Sequence, residues 1–167
     1  MRMKGTIMET IVLEIFKEMS QIPRESGNEK GISDYIVNFA KNLGLEVHQD
    51  EIFNVVIKKA ASPGYENRPS IILQGHIDMV CVKDHDSNHD FSKDPIANII
   101  EGEWMHADHT TLGADNGMGA AMMLALLEDE SQQHGPMQLL FTTNEETGMD
   151  GAFAIKEGQV TGDYLLT

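Results

Sequence analysis

An α/β sandwich, a sheet with helices over both faces, is the fold class this sequence predicts, on three observations. Amphipathic stretches of helical length alternate with short apolar runs of strand length. The run at 71–73 is wholly apolar, and that at 137–143 is apolar at Met137, Leu139, Leu140 and Phe141, as expected of inner strands. Acidic and imidazole groups gather where apolar runs give way to helix-like segments, at GHIDMV, LGADNGMG and NEETGMDG. Strand ends are where open α/β sheets hold their ligands. With 167 residues, 41% of them hydrophobic, the chain suits one compact domain, and it shows no repeat, low-complexity tract or linker.

From the N-terminus, Ile7, Ile11, Ile15 and Met19 recur at every fourth residue, with Leu13 and Phe16 widening the stripe. A helix is expected there, ending before Pro23. Ser26 and Glu29 fit a capping box for a second helix whose inward stripe is Ile32, Tyr35, Ile36, Phe39 and Leu43, with Gly44 as its C-terminal cap. Residues 45–58 turn to β-branched, alternating texture, and residues 60–69, carrying Pro63, Gly64 and Pro69, read as an exposed turn. The order is strand, loop, then the strand that runs into GHIDMV. The polar passage KDHDSNHDFSKDP has neither helical nor strand periodicity, so a surface or site-covering loop is expected. Residues 117–127, rich in Ala, Met and Leu, predict a buried helix, with Met122, Met123 and Leu126 as core. Residues 137–143 predict an inner strand, 152–157 a short helix, and 164–167 a last strand.

Charge narrows the classes of function. Asp and Glu number 27 against 12 Lys and Arg, for a formal net charge of -15. Such a surface repels nucleic-acid phosphates and anionic lipid, so neither nucleic acid nor membrane is expected as a partner. The basic opening could begin a signal peptide, but Glu9 and Glu14 interrupt the apolar run. A single cysteine, Cys81, rules out an internal disulfide framework and favours a reducing, cytoplasmic location. It follows an apolar strand, so an inert buried thiol is expected in preference to a nucleophile.

The clustered residues point to divalent-metal chemistry. In a strand, side chains two positions apart share a face, so His76 and Asp78 can act on one object. Zn²⁺ takes imidazole nitrogen and carboxylate oxygen, and a donor set richer in carboxylates than imidazoles suits two ions sharing a bridging carboxylate, naturally Asp115. Of Glu145 and Glu146, one can bind metal while the other serves as general base. Asp78 suits the task of orienting the His76 ring. Each residue also has a plainer reading: His76 as a hydrogen-bonded structural histidine, Asp115 as a helix N-cap, the Glu pair as a solvated acidic turn or a helix-dipole partner. Gly113, Gly117 and Gly119 superficially suggest a phosphate loop, but the Walker Lys and Ser/Thr are missing. His85 and His89, flanked by Asp84, Asp86 and Asp90, form a competing cluster that ranks lower, because a flexible loop must bear the ordering entropy of assembling ligands.

The blocks GHIDMV, TTLGADNGMGAA and NEETGMDGA, in this order and spacing, resemble the signatures of the zinc aminopeptidase and aminoacylase superfamily. VCVKD, HDFSKDPI, EGEW and HGPMQLLFTTNEET resemble its bacterial cytosolic Xaa-His dipeptidase branch, so the likeness spans nearly the whole chain. It implies a three-layer α/β/α sandwich of the zinc-exopeptidase type and two zinc ions, with Mn²⁺ or Co²⁺ as alternatives. His76 and Glu146 would each be a terminal ligand, Asp115 the bridge, Glu145 the general base and Asp78 the orienting carboxylate. Xaa-His dipeptides, carnosine among them, are the implied substrates. An aminoacylase, a tripeptidase or a non-catalytic metal-binding module are the alternatives. One departure is local: Asp108 and His109 precede TTLGADNG, where the resemblance implies a glycine beside the first Thr. The other is length, since the family continues with a further Asp, a lid or dimerisation domain and a final His ligand. Residues 1–167 are therefore expected to form the N-terminal part of a catalytic domain, inactive alone for want of ligands, from a parent that forms a homodimer. If the last strand lies inside the parental sheet, apolar surface and a sheet edge are left exposed, and the piece is expected to self-associate.

Overall fold

Apolar side chains at helical spacing fold the first part of the chain into two helices in the computed structural model, which describes residues 7–167. The basic opening within residues 1–6 and the side chain of Ile7 lie outside the described residues. Helix α1 (Ile7–Ser20) buries Val12, Ile15, Phe16 and Met19, whereas Leu13 faces solvent at the margin of the stripe. Helix α2 (Lys30–Asn42) buries Ile32, Ser33, Ile36 and Ala40, with Tyr35 and Phe39 flanking and Leu43 exposed. The expected capping box does not form. Glu29 is the N-cap residue but makes no side-chain cap bond, because its carboxylate accepts the Asn144 N–H at 2.8 Å and Ser26 Oγ donates to Asp78 at 2.7 Å. The C-terminal signal holds: Gly44 adopts φ +70°, and the N–H groups of Gly44 and Leu45 close onto Lys41 and Ala40.

Residues 45–58 are two strands, not one. β1 (Glu46–Gln49) and β2 (Val55–Lys59) form an antiparallel hairpin whose turn is organised by Asp50, which accepts the N–H groups of Ile52 and Asn54 at 3.0 and 2.9 Å. β3 (Ile71–His76) follows the expected loop. A second hairpin, β4 (Asn98–Glu101) with β5 (Trp104–Ala107), adds to the expected elements; its signal in the sequence is a glycine, Gly102 at φ +64°, set between two short β-prone runs. Helix α3 (Ala114–Glu128) buries Met123, Leu124 and Leu127, but Met122 is exposed. After the inner strand β6 (Met137–Thr142) come α4 (Glu145–Gly148) and α5 (Asp150–Phe153). The helix expected at 152–157 thus lies earlier and is broken at Met149, which adopts φ 60°. β7 (Tyr164–Leu166) closes the described elements.

The main sheet runs β1-β2-β6-β3-β7, with β3 parallel to β6 and β7 and the remaining pairs antiparallel. Alternation sends Val55, Ile57, Leu139 and Phe141 to one face, where α1, α2 and α3 cover them. Val56, Ile72 and Leu140 point to the other, where Ile155 and Val160 of the chain after α5 pack against them. The α/β class is therefore as expected, with a full helical layer on one face and, among the described residues, a thin cover on the other. The parallel pairing of β3 with β6 leaves their C-terminal ends side by side, and this adjacency builds the site.

Candidate metal centre

β3 ends on His76, and the chain carries straight on to Asp78; both are buried. β6 ends at Thr142, in register with His76, and Asn144 in a left-handed conformation (φ 53°) swings the chain so that Glu145 and Glu146 open α4. Asp115 comes from elsewhere than expected: the nearest preceding strand, β5, ends at Ala107, and Asp115 sits in the first turn of α3 with extended backbone (φ -85°, ψ 117°). Nor does it cap that helix, whose N-cap is Gly113 without a side-chain bond. Its carboxylate, 88% exposed, is free to face His76. The neighbouring Asn116 side chain lies over Gly75, where an added Cβ would come within 3.1 Å of its amide, and against Gly119. Two glycines thus let α3 approach β3 closely enough to bring Asp115 in.

The ring of His76 is held from both sides. Nδ1 lies 3.2 Å from Asp78 Oδ1, Nε2 lies 3.3 Å from Asp115 Oδ1, and Glu145 Oε2 is 3.8 Å from Nε2. One ligand atom each from His76, Asp115 and Glu146 lies within 4.8 Å of the others. Donor atoms about 2.1 Å from one tetrahedral ion sit roughly 3.4 Å apart, so a spread of up to 4.8 Å suits one cation once the donors draw in, or two that share the Asp115 carboxylate. Burial would raise the carboxyl of Asp78, but hydrogen bonds from His76, Ser26 and the amides of Glu146 and Glu145 outweigh it and hold the group at about 2. A carboxylate so held takes the Nδ1 proton as a hydrogen bond and leaves the Nε2 lone pair pointing into the site. Burial opposes a charge on His76, yet the carboxylates of Asp78, Glu145 and Asp115 raise its proton affinity. Glu146 is likewise raised, by burial and by repulsion from Glu145, Asp115 and Asp78, with His76 opposing. Crowded acidic groups around one imidazole are an excess of negative charge that a divalent cation would neutralise.

His85 and His89 do not assemble a rival site. His85 is fully exposed and meets Asp86 at 3.6 Å, while His89 packs edge-on against Phe91. Among the described residues the His76, Asp115 and Glu146 group is the one set of donors close enough to share an ion. His109 adopts φ 56° and pairs with Asp84 at 2.7 Å, fastening the start of the long loop to the segment that leads into α3. Cys81 is half-buried, and burial, with Glu25 adding and Arg24 opposing, pushes its thiol up to about 11, so it stays protonated at neutral pH.

Sequence reasoning missed the floor of the site. Arg24, Ser26 and Glu29, from the polar link between α1 and α2, bond to Asp78, Gly113 and Asn144, and Arg24 and Glu29 are buried. Nothing in the PRESGNE stretch distinguishes a buried polar residue from a solvated loop, since it has no apolar periodicity.

Residues 72–166 match the model of peptidase family M20/M25/M40. The cytosol non-specific dipeptidase of Escherichia coli (strain K12) is 47% identical over 153 residues, covering 92% of this chain and 32% of that protein. The crystal structure of aminoacylhistidine dipeptidase from Vibrio alginolyticus superposes with a TM-score of 0.90 at 44% identity, over 96% of this chain and 34% of that one. A tripeptidase from Staphylococcus aureus matches with a TM-score of 0.79 at 28% identity, over 96% of this chain and 43% of that one. The chain thus spans about a third of the length of the two dipeptidases it matches. Holding the whole of β3, α3, β6 and β7 within or at the edge of the matched stretch, together with every acidic residue and the imidazole of the centre, the chain belongs to peptidase family M20/M25/M40.

Proposed function

We propose that this chain is the N-terminal part of the catalytic domain of a cytoplasmic metallodipeptidase that hydrolyses the peptide bond of dipeptides. The observation that carries the reading is the convergence of His76, Asp115 and Glu146 beside a further carboxylate, Glu145. Similarity to an aminoacylhistidine dipeptidase and to a cytosol non-specific dipeptidase supports dipeptides as the substrate class. Within that class the proposal names Xaa-His dipeptides, carnosine included.

His76 and Glu146 are proposed as terminal ligands of two Zn²⁺ ions and Asp115 as their bridge, with Mn²⁺ and Co²⁺ able to take the same donors. Such ions, when bound, supply the Lewis acidity that polarises the scissile carbonyl and acidifies the attacking water. Glu145 then acts as general base, accepting the water's proton and returning it to the leaving amine. Asp78 holds the His76 ring through Nδ1 so that Nε2 faces the centre throughout. Each ion here has the bridge and one terminal ligand from residues 1–167, fewer than the three protein ligands usual for catalytic zinc, so these residues alone are proposed to be inactive. The proposal extends to a homodimer of the longer protein, on the resemblance alone. Tripeptide hydrolysis is the second reading, favoured by the likeness to the staphylococcal tripeptidase.

The test is zinc content by elemental analysis and release of histidine from Xaa-His dipeptides, on this chain and on a version extended through the family's full length. The extended protein is expected to hold two zinc ions and turn over dipeptides in preference to tripeptides, and Glu145→Gln in it to lose rate by about 10²- to 10⁴-fold while keeping its metal. Metal without turnover, or Glu145→Gln at full rate, refutes the enzyme reading. Full turnover by residues 1–167 refutes their inactivity.

A further inference from the structure

Arg24 lies in the link between α1 and α2, far in sequence from the clustered ligands. Its guanidinium donates from Nη1 to the carbonyls of Ile77 and Asp78 at 3.2 and 3.3 Å and from Nη2 to the carbonyl of Gly113 at 2.6 Å. Its own carbonyl accepts the Met79 N–H at 3.1 Å, so backbone and side chain both grip the segment after β3. Gly113 stands two residues before Asp115. One planar group therefore ties the backbone that follows His76 to the backbone that precedes Asp115.

The chain around it is cut to fit. A Cβ on Gly113 would stand 2.5 Å from Arg24 Nη2, and one on Gly117 would stand 2.5 Å from the same atom and 3.0 Å from Phe16. Those two glycines of LGADNGMG thus clear space for a guanidinium, which accounts for a glycine spacing that mimics a phosphate loop without its lysine. Arg24 is 2% exposed, and among the described residues it has no carboxylate within ion-pair distance; all three acceptors are main-chain oxygens. Burial brings its proton affinity down to about 10, with Cys81 and Asp78 opposing, so it remains charged at neutral pH. A buried cation spent on backbone carbonyls is costly for stability alone, where apolar packing would serve. The fork of arginine can serve two segments at once, whereas a lysine ammonium is a single point.

We propose that Arg24 is a positioning residue that fixes the spacing of His76 and Asp78 relative to Asp115, and so the affinity of the centre for its cation. Its functional consequence rests on the metal-centre reading above. The test uses the 167-residue chain with Arg24→Lys, Arg24→Ala and Gly117→Ala, the last of which keeps the arginine but displaces it. Zinc affinity is measured by titration calorimetry, and amide hydrogen exchange is followed in the metal-free chain at residues 77–79 and 113–117. All three variants are expected to bind zinc about tenfold or more weakly and to lose protection at those two segments, with α2 and β6 protected as before. Methylguanidinium, at a concentration without effect on the parent chain, should restore affinity and protection to Arg24→Ala and do nothing for Arg24→Lys. Parental affinity and exchange in Arg24→Ala and Gly117→Ala, or no response of Arg24→Ala to methylguanidinium, overturns the proposal. Should Arg24→Ala fail to fold, Gly117→Ala decides by the same two readouts. If the 167-residue chain takes up no zinc, affinity is read on the same variants of the version extended through the family's full length, where no uptake refutes the metal reading, and exchange with its methylguanidinium response decides the role of Arg24.

Discussion

The carboxylate of Asp78, buried beneath the centre, accepts hydrogen bonds from Ser26 Oγ, the His76 ring and the amides of Glu145 and Glu146. One side chain therefore references the ring at the end of β3 to the acidic pair after β6. Asp78→Ala leaves those donors unpaired, at a cost of about 1–3 kcal/mol read by urea unfolding, and releases the His76 ring, weakening zinc binding about 10- to 100-fold. The pH dependence has a definite sign. Folded Asp78 titrates at about 2, below the unfolded value of roughly 3.9, so its stabilisation is present above the unfolded value and is lost as pH falls through the folded one. Acid unfolding of Asp78→Ala is accordingly expected to be flatter over that window, and a melting temperature that falls as steeply with acid as in the parent contradicts the assignment.

Asn54 shows how elements are tied together behind the site. Its Nδ2 donates to Asp50 Oδ2 and to the Gly151 carbonyl, both at 2.9 Å, and its Oδ1 accepts the Thr143 N–H at 3.0 Å. The β1–β2 turn, the exit of β6 and the start of α5 thus meet on one buried amide, and Gly151 has no room for a Cβ against the Thr143 backbone. Because α4 hangs from that exit, the placement of Glu145 and Glu146 inherits the rigidity of the hairpin turn. Asn54→Ala is expected to lose ~2 kcal/mol by urea unfolding, against less than ~0.5 kcal/mol for Glu51→Ala on the exposed side of the same turn. Equal losses for the two would remove the amide from this role.

For the molecule as a whole, the sheet ends on β7, whose Tyr164, Leu165 and Leu166 are 61%, 60% and 53% exposed. Among the described residues β7 pairs on one side only, with β3. An apolar, unpaired edge invites a second copy, while a formal charge of -15 opposes close approach. Self-association is therefore expected to rise with protein concentration and with salt, which screens the repulsion, and Leu165→Lys is expected to reduce it. Sedimentation velocity distinguishes the outcomes: a monomer at every salt and concentration, or an oligomer unchanged by Leu165→Lys, removes β7 as the contact.

The α/β class, the helix stripes, the C-cap at Gly44 and the inner strand at β6 were legible in the sequence, because burial periodicity and a left-handed glycine are properties of neighbouring residues. Residue chemistry likewise singled out His76, Asp78, Asp115, Glu145 and Glu146 as candidates. What depended on distant partners was not legible. Ser26 and Glu29 spell a helix cap but serve Asp78 and Asn144, Asn54 of the hairpin serves Gly151 and Thr143, and Asp115 arrives from a helix start admitted by Gly75 and Gly119. Arg24 gave no local sign at all, since its partners lie 53 to 89 residues away. A polar side chain takes its role from whatever groups burial brings to it, and only the tertiary structure decides which groups those are.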